Sequence, residues 1–330
     1  WRLLPTRHQL AVRTLSVSSS APRTAVAGAT AATTATGTME KAEMPVRSAR
    51  APRPELPKPK IVEVEGKCMI KYVELLPEGG VTLDTPTIVL IHGAPGTYKD
   101  FRDVLDTDNY YTHISAVPSV QTTLEAVAAI CGKHQPVFVL GHSFGGHAAV
   151  HFAGLNHHQQ LVNLKGLCLI ASAGFKPHKA LQPTTNALVW QLLRSNVSAL
   201  ERAGKLLTWW VYTKFLRFPD NGPKEYFAAG IVRCATADFD LFREHIASTR
   251  ETLPSFMAWA QDDAFMEEEI FLDLSEATHP GPRFAFQRGG HNVQKTKADF
   301  LALEMSAWMA SVVAGKHKEL YQSKQVTVLP

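Results

Sequence analysis

Short apolar runs alternate with longer helical patterns along most of this chain. The runs have the length and the β-branched or aromatic content of buried strands, at 87–91, 137–140, 167–171, 256–260 and 284–286. Helical patterns occupy 119–131, 146–155 and 295–313. Strands separated by helices predict a mainly parallel, twisted sheet with helices on both faces, an α/β architecture whose ligands bind beyond the carboxyl ends of the strands. An alternating pattern at 62–76 predicts an antiparallel pair at the sheet edge.

The strand pattern stops between residues 175 and 253, where a helical stretch rich in tryptophan, tyrosine and phenylalanine begins. We interpret this stretch as an inserted helical lid. Trp209 and Trp210 stand near Lys205 and Lys214, so contact with a membrane surface is an alternative that we favour less than packing on the core. The chain then divides into a first core part, a lid, a second core part and a C-terminal tail, at 62–175, 176–252, 253–315 and 316–330.

The first 61 residues have a different composition. Residues 1–38 are rich in Ser, Thr and Ala, contain four arginines and lack acidic residues, which is typical of a mitochondrial transit peptide. The first methionine is Met39, so a leader upstream of the true start, or a truncated gene model, is an equal alternative. The protein is expected to be mitochondrial in the first case and cytoplasmic otherwise. We expect residues 1–61, including the proline-rich run 45–60, to be disordered.

The charge balance argues against nucleic acid as a partner. The formal net charge is +4, and the four arginines of residues 1–38 account for it, since 30 basic and 30 acidic residues remain. The four cysteines lack C-x-x-C spacing and predict neither disulfides nor a metal site. No dinucleotide or phosphate-binding glycine loop is present in the sequence, so we predict no cofactor.

The segment from Gly141 to Gly145 has the pattern Gly-x-Ser-x-Gly between a predicted strand and a predicted helix. Small residues on both sides permit the sharp turn that presents a serine hydroxyl above a sheet. The pattern alone is common, but the correct flanking elements favour Ser143 as a nucleophile. Serine needs a neighbouring base to remove its proton, and that base needs a carboxylate.

Together with the loop His92-Gly93-Ala94-Pro95-Gly96 and the late Gly290-His291, this elbow resembles the α/β-hydrolase superfamily over about residues 60–315. The resemblance implies that His291 is the general base and that Asp263 orients it, with Asp262 as the alternative acid. It also implies an oxyanion hole formed by the backbone N–H groups of Ala94 and Phe144. His142 and His147 are interpreted as packing or loop residues.

One part of the family pattern is not found. Only residues 97–118 separate the glycine-rich loop from the next helix, which is about two dozen residues too short for the usual helix, strand and connections. One central strand is therefore expected to be missing. Its loss would leave a gap in the sheet or a different pairing beside the elbow.

These features predict a serine hydrolase of the esterase or lipase type. It would cleave an ester, thioester or amide through an acyl-enzyme on Ser143. The aromatic lid suggests a small-molecule substrate with an apolar portion. The alternative is a non-catalytic binding protein, or an inactive splice form, that keeps the fold.

Overall fold

The structure is a computed structural model that describes residues 11–14, 58–64, 68–77, 80–91, 115–179, 183–195, 197–215 and 224–330. Its strands are β1 Ala11–Thr14, β2 Lys60–Val64, β3 Cys68–Leu75, β4 Thr87–Ile91, β5 Pro136–His142, β6 Asn163–Ile170, β7 Ser255–Ala260, β8 Arg283–Phe286 and β9 Thr327–Leu329. Its helices are α1 Ala116–Cys131, α2 Phe144–Gln159, α3 Pro183–Leu193, α4 Ser198–Trp210, α5 Lys224–Ala235, α6 Phe239–Thr249, α7 Glu268–Ala277, α8 Val293–Thr296, α9 Ala298–Val313 and α10 His317–Leu320. A π-helical turn, Val211–Phe215, follows α4.

The strands of the described residues form one sheet in the order β2-β3-β1-β4-β5-β6-β7-β8-β9. The pairs β2/β3 and β3/β1 are antiparallel, and every later pair is parallel. Strand β7 is buried along its whole length, and β5 is buried from Pro136 to Gly141. Strands with both faces covered read as continuous apolar runs, which is why the sequence predicted them correctly.

Helices cover both faces of this sheet. Phe138 of β5 packs edge-on against Trp308 of α9, with ring centroids 5.5 Å apart. Gly141 lies an odd number of residues further along the strand, so its substituent points to the opposite face. There a Cβ would meet the backbone of Gly145 and Gly146 in α2. The predicted α/β-hydrolase architecture, a mainly parallel sheet with helices on both faces, is therefore confirmed.

Part of the leader belongs to the sheet. Residues Ala11–Thr14 form β1, which pairs with β3 on one side and with β4 on the other. The prediction of disorder throughout residues 1–61 is wrong here and at Lys60, where β2 begins. Composition predicts whether a segment can build its own core. Composition does not show that the edges of two other strands offer unpaired backbone groups, with which an extended segment can form hydrogen bonds.

The strand that was expected to be missing has a counterpart in this sheet. Residues 92–114, which contain most of the short interval, lie outside the described residues. The position between β3 and β4 is occupied by β1, so a different pairing replaces a gap. The C-terminal segment also extends the sheet, because Thr327–Leu329 pairs in parallel with β8.

The segment between β6 and β7 holds α3 to α6 and the π-helical turn. The last of these helices, α6, packs against α2, and its Phe242 and Ile246 are buried in the core cluster. None of the helices in the described part of the chain is long and apolar enough to span a bilayer.

Candidate active site

The turn between β5 and α2 holds Ser143 in an unusual backbone conformation. Its φ is 58° and its ψ is −129°, a combination that L-residues adopt only under strain. Two glycines permit the turn, because a Cβ at Gly141 would lie 2.2 Å from the carbonyl oxygen of Gly145. A Cβ at Gly146 would lie 1.9 Å from the hydroxyl of Ser172. This geometry is that of a nucleophile elbow.

Three side chains from three loops form one chain of hydrogen bonds at this turn. The hydroxyl of Ser143 lies 2.9 Å from Nε2 of His291, which follows β8. Nδ1 of the same ring lies 2.8 Å from Oδ2 of Asp263, which follows β7. A carboxylate can only accept, so Nδ1–H donates to Asp263 and Nε2 accepts from the Ser143 hydroxyl. The structure thus brings together the residues that the sequence suggested as nucleophile, base and acid.

Asp263 is held in its ionised form. Burial alone would raise the pKa of its carboxyl group, but hydrogen bonding and charge interaction with His291 outweigh burial and lower this pKa below its usual value. The backbone N–H groups of Phe265 and Met266 add to this effect, at 2.8 and 3.2 Å from Oδ1. The carboxylate therefore remains charged around neutral pH and keeps the ring of His291 in one tautomer.

The alternative acid, Asp262, has a different set of contacts. Its Oδ1 accepts from the backbone N–H of Gly289 at 2.9 Å and of Gly290 at 2.7 Å. Gly290 has a φ of 63°, a left-handed conformation that favours glycine. Asp262 therefore anchors the turn that immediately precedes His291 and makes no described contact with its ring.

His142 contacts the same loop from the other side. Its Nε2 lies 2.9 Å from the carbonyl oxygen of His291, and the two imidazole rings are 5.0 Å apart. Burial lowers the pKa of His142 to about 4, so at neutral pH the ring is uncharged and Nε2–H is the donor. His142 was predicted from the sequence to be a packing or loop residue, and that prediction did not include this bond. Its position beside the nucleophile was the only available signal.

The segment that leads into α3 also contacts the loop after β7, which contains Asp263. The ammonium of Lys179 donates to the carbonyl oxygen of Asp263 at 3.2 Å, and its backbone N–H donates to Glu267 at 3.1 Å. Burial, followed by the proximity of His291, lowers the pKa of the neighbouring His178. The start of the inserted helical segment is thus tied to the catalytic side of the sheet.

One of the two suggested oxyanion donors can be placed. Phe144 opens α2, and N–H groups in a first helical turn have no acceptor within the helix. Its N–H has no acceptor among the described residues and lies beside Ser143, at the positive end of the helix dipole. Ala94, the other suggested donor, lies outside the described residues. Among the described residues, no group of three or more His, Cys, Asp or Glu side chains could hold a metal ion.

A cluster of buried histidines lies behind the elbow. The ring of His147 stacks between Phe144 and Phe242, with centroids 5.1 and 4.4 Å away, and neither ring nitrogen has a partner among the described residues. Nδ1 of His151 and Nδ1 of His245 are 2.9 Å apart and join α2 to α6. Burial lowers the pKa of all three imidazoles, which are therefore neutral at pH 7.

Comparison with protein families gives a match over most of the chain. Residues 120–327 match the model of a family described as "Alpha/beta hydrolase of unknown function (DUF1057)". No curated protein sequence matches the chain.

Solved structures with a similar fold include a thioesterase domain from the curacin biosynthetic pathway, 16% identical over 75% of this chain and 99% of that one, with a TM-score of 0.46. A thermophilic esterase from Thermogutta terrifontis is 16% identical over 69% of this chain and 90% of that one, with a TM-score of 0.44. A monoacylglycerol lipase from Paleococcus ferrophilus is 14% identical over 70% and 94%, with a TM-score of 0.43.

Proposed function

Because this chain belongs to the DUF1057 family of α/β hydrolases, we propose that it is a serine hydrolase that cleaves an ester, thioester or amide through an acyl-enzyme on Ser143. The observation that carries the proposal is the continuous hydrogen-bonded chain from the Ser143 hydroxyl through His291 to Asp263. A hydroxyl, an imidazole and a buried carboxylate in this order are the parts that nucleophilic acyl transfer requires.

In the first half of the reaction, Nε2 of His291 takes the hydroxyl proton while Oγ of Ser143 bonds to the substrate carbonyl carbon. Asp263 stabilises the resulting imidazolium. The backbone N–H of Phe144 donates to the oxyanion, and we propose that the N–H of Ala94 is the second donor. The tetrahedral intermediate collapses as His291 gives its proton to the leaving alcohol, thiol or amine.

In the second half, water replaces the leaving group. His291 removes a proton from that water, the hydroxide attacks the acyl carbon, and the carboxylic acid product leaves as Ser143 regains its proton. The neutral state of His142 supports this cycle, because a second charge 5.0 Å away would oppose protonation of His291.

The substrate that we propose is a small molecule with an apolar acyl portion. The inserted segment contains aromatic side chains that pack in or against the core cluster, among them Trp190, Tyr212 and Phe227, and we propose that this segment also supplies the apolar wall of the substrate site. Apolar walls with a few convergent polar groups are typical of small-molecule sites.

Fluorophosphonate labelling tests the proposal, since the probe bonds covalently only to an activated serine. We expect the wild-type chain to be labelled and Ser143→Ala to lose labelling and turnover of p-nitrophenyl esters while keeping its melting temperature. Ser248→Ala is the matched control, because that hydroxyl only donates to a carbonyl within α6. A folded wild-type chain that resists the probe would instead favour the non-catalytic binding protein.

A further inference from the structure

Helix α4 (Ser198–Trp210) turns its apolar side away from the protein. At 100° per residue, four large apolar side chains lie on one side of this helix. Each of them is between 41% and 52% exposed: Leu200, Leu206, Leu207 and Trp210. The buried positions, Gly204 and Thr208, lie next to Leu200 on the adjoining side of the helix. A helix that packs on a core normally has the reverse arrangement.

Close packing fixes this orientation. The nearest neighbours of a Cβ placed at Gly204 would be side-chain atoms of Leu193 and Leu192 in α3, at 3.1 and 3.2 Å. The hydroxyl of Thr208 turns back onto the carbonyl oxygen of Gly204 at 2.8 Å. If α4 rotated to bury Leu207 or Trp210, a large side chain would have to enter a space where a Cβ alone would already be in tight contact with α3. The four apolar residues, here called the outer face of α4, are therefore exposed as a consequence of the fold.

Several exposed residues that precede α4 or belong to it are apolar or cationic. Leu188 in α3 and Val197 at the start of α4 are also exposed. Residues 183–215 contain four basic side chains and one acidic side chain. The acidic one, Glu201, forms an ion pair with Lys205 at 2.7 Å, while Arg194 and Arg202 are exposed.

We propose that the outer face of α4 docks on an anionic lipid surface. Leucine and tryptophan side chains would enter the boundary between headgroups and acyl chains, and the flanking arginines would lie against lipid phosphates. The positive charge favours an anionic lipid surface over a second copy of the chain, because a two-fold contact between copies would bring like charges together. Docking of this kind goes beyond the proposed hydrolysis and does not need the Ser143 hydroxyl.

Vesicle flotation in the Ser143→Ala background tests the docking without lipid hydrolysis. We expect this protein to float with phosphatidylcholine vesicles that contain phosphatidylserine, and about tenfold less with phosphatidylcholine alone. The double variant Leu206→Gln/Trp210→Gln should lose about tenfold in binding. The matched control is Leu272→Gln/Leu303→Gln, which removes two equally exposed leucines from α7 and α9 and should bind as before.

A charge variant gives a second measurement. Arg194→Gln/Arg202→Gln should weaken binding to anionic vesicles and reduce its dependence on salt, while leaving the melting temperature unchanged. Equal flotation of the outer-face variant and its control would overturn the proposal. It would also be overturned if the parent protein bound no vesicles and formed a dimer that Leu206→Gln/Trp210→Gln dissociates, since a second copy would then cover this face.

Discussion

The imidazole of His291 is held from three directions. Asp263 accepts a hydrogen bond from the ring of His291. Asp262 accepts from the backbone N–H groups of Gly289 and Gly290, and His142 donates to the backbone carbonyl oxygen of His291. Two of these contacts come from residues adjacent in sequence to the acid and the nucleophile. A base must stay within hydrogen-bond reach of the proton it removes, so in the mechanism that we propose the contacts that immobilise the His291 backbone contribute to rate without touching substrate.

The two neighbouring aspartates should differ sharply in effect. Asp263→Asn cannot stabilise the imidazolium and favours the wrong tautomer, so we expect kcat for a p-nitrophenyl ester to fall by about 10⁴. Asp262→Asn keeps an oxygen that accepts from Gly289 and Gly290, so its kcat should fall by less than about tenfold. Steady-state kinetics on both variants decide the assignment, and a larger loss in Asp262→Asn would reverse it.

His142 is expected to act as a positioning residue. His142→Phe keeps a planar ring but removes the donor to the His291 carbonyl, so we expect kcat to fall about tenfold with little change in KM. His142→Gln restores an N–H donor and should recover part of the loss. If both variants retained wild-type kcat, the bond would be structural only.

At the scale of elements, the contact between α2 and α6 contains the three neutral histidines. His147 faces His151, His245 and the buried Arg233 of α5, while His151 and His245 also face Asp238. Burial opposes a proton on each of these imidazoles, and a proton on His147 would also lie close to the charge of Arg233. The packing between α2 and α6 therefore favours the uncharged form of the three imidazoles.

Acid should destabilise the protein through this contact. In the unfolded chain a histidine binds a proton below about pH 6.5, while in the folded protein these three remain neutral to a lower pH. Stability is thus fully present above pH 6.5 and is lost as the pH falls toward 4, the approximate pKa of His151. Each such histidine contributes a slope of about 1.4 kcal/mol per pH unit.

The variant His147→Phe isolates one of these contributions. Phenylalanine preserves the stack between Phe144 and Phe242, and no described partner of the His147 nitrogens is lost. We expect urea unfolding between pH 7.5 and 5 to show a slope reduced by about one proton. His157→Phe, on the exposed end of α2, is the control. An unchanged slope in His147→Phe would mean that other groups cause the acid sensitivity.

The elements differ in how well the sequence predicts them. Strands β5 and β7 could be located because burial on both faces demands continuous apolar residues. Ser143 could be suggested because the Gly-x-Ser-x-Gly pattern follows such a strand, whereas Asp263 and His291 were suggested from the resemblance to the α/β-hydrolase superfamily. The direction of the apolar side of α4 could not be predicted, because periodicity shows that a helix has two sides but not which of them packs on α3. The role of Asp262 depends on backbone N–H groups that no side-chain pattern encodes.

At the scale of the whole molecule, the position of β1 is the least expected feature. The segments 62–175 and 253–315 were predicted to supply the whole sheet, but Ala11–Thr14 lies between β3 and β4, third in the strand order. Its pairing runs from Val12 with Leu75 to Thr14 with Val73 on one side, and from Ala11 with Thr87 to Thr14 with Leu90 on the other. No β3/β4 pairing is present in the described part of the chain, so β1 is what joins the first hairpin to the parallel strands that carry the elbow.

Removing β1 should therefore weaken both the fold and the site. Each ladder hydrogen bond contributes about 0.5–1.5 kcal/mol net, and β1 is paired on both edges, so its loss is a large part of a typical stability of about 5–15 kcal/mol. We expect a chain that begins at Met39 to melt at a lower temperature and to react more slowly with a fluorophosphonate than the full chain. A synthetic peptide of residues 8–18 should restore both properties when added in trans, because strand addition uses backbone groups that a free peptide also offers. The same peptide with Val12→Pro lacks one N–H and has a fixed φ, so it should restore neither. If the chain from Met39 matched the full chain in melting and labelling, another segment would have to join β3 to β4, and the leader would have no part in the sheet.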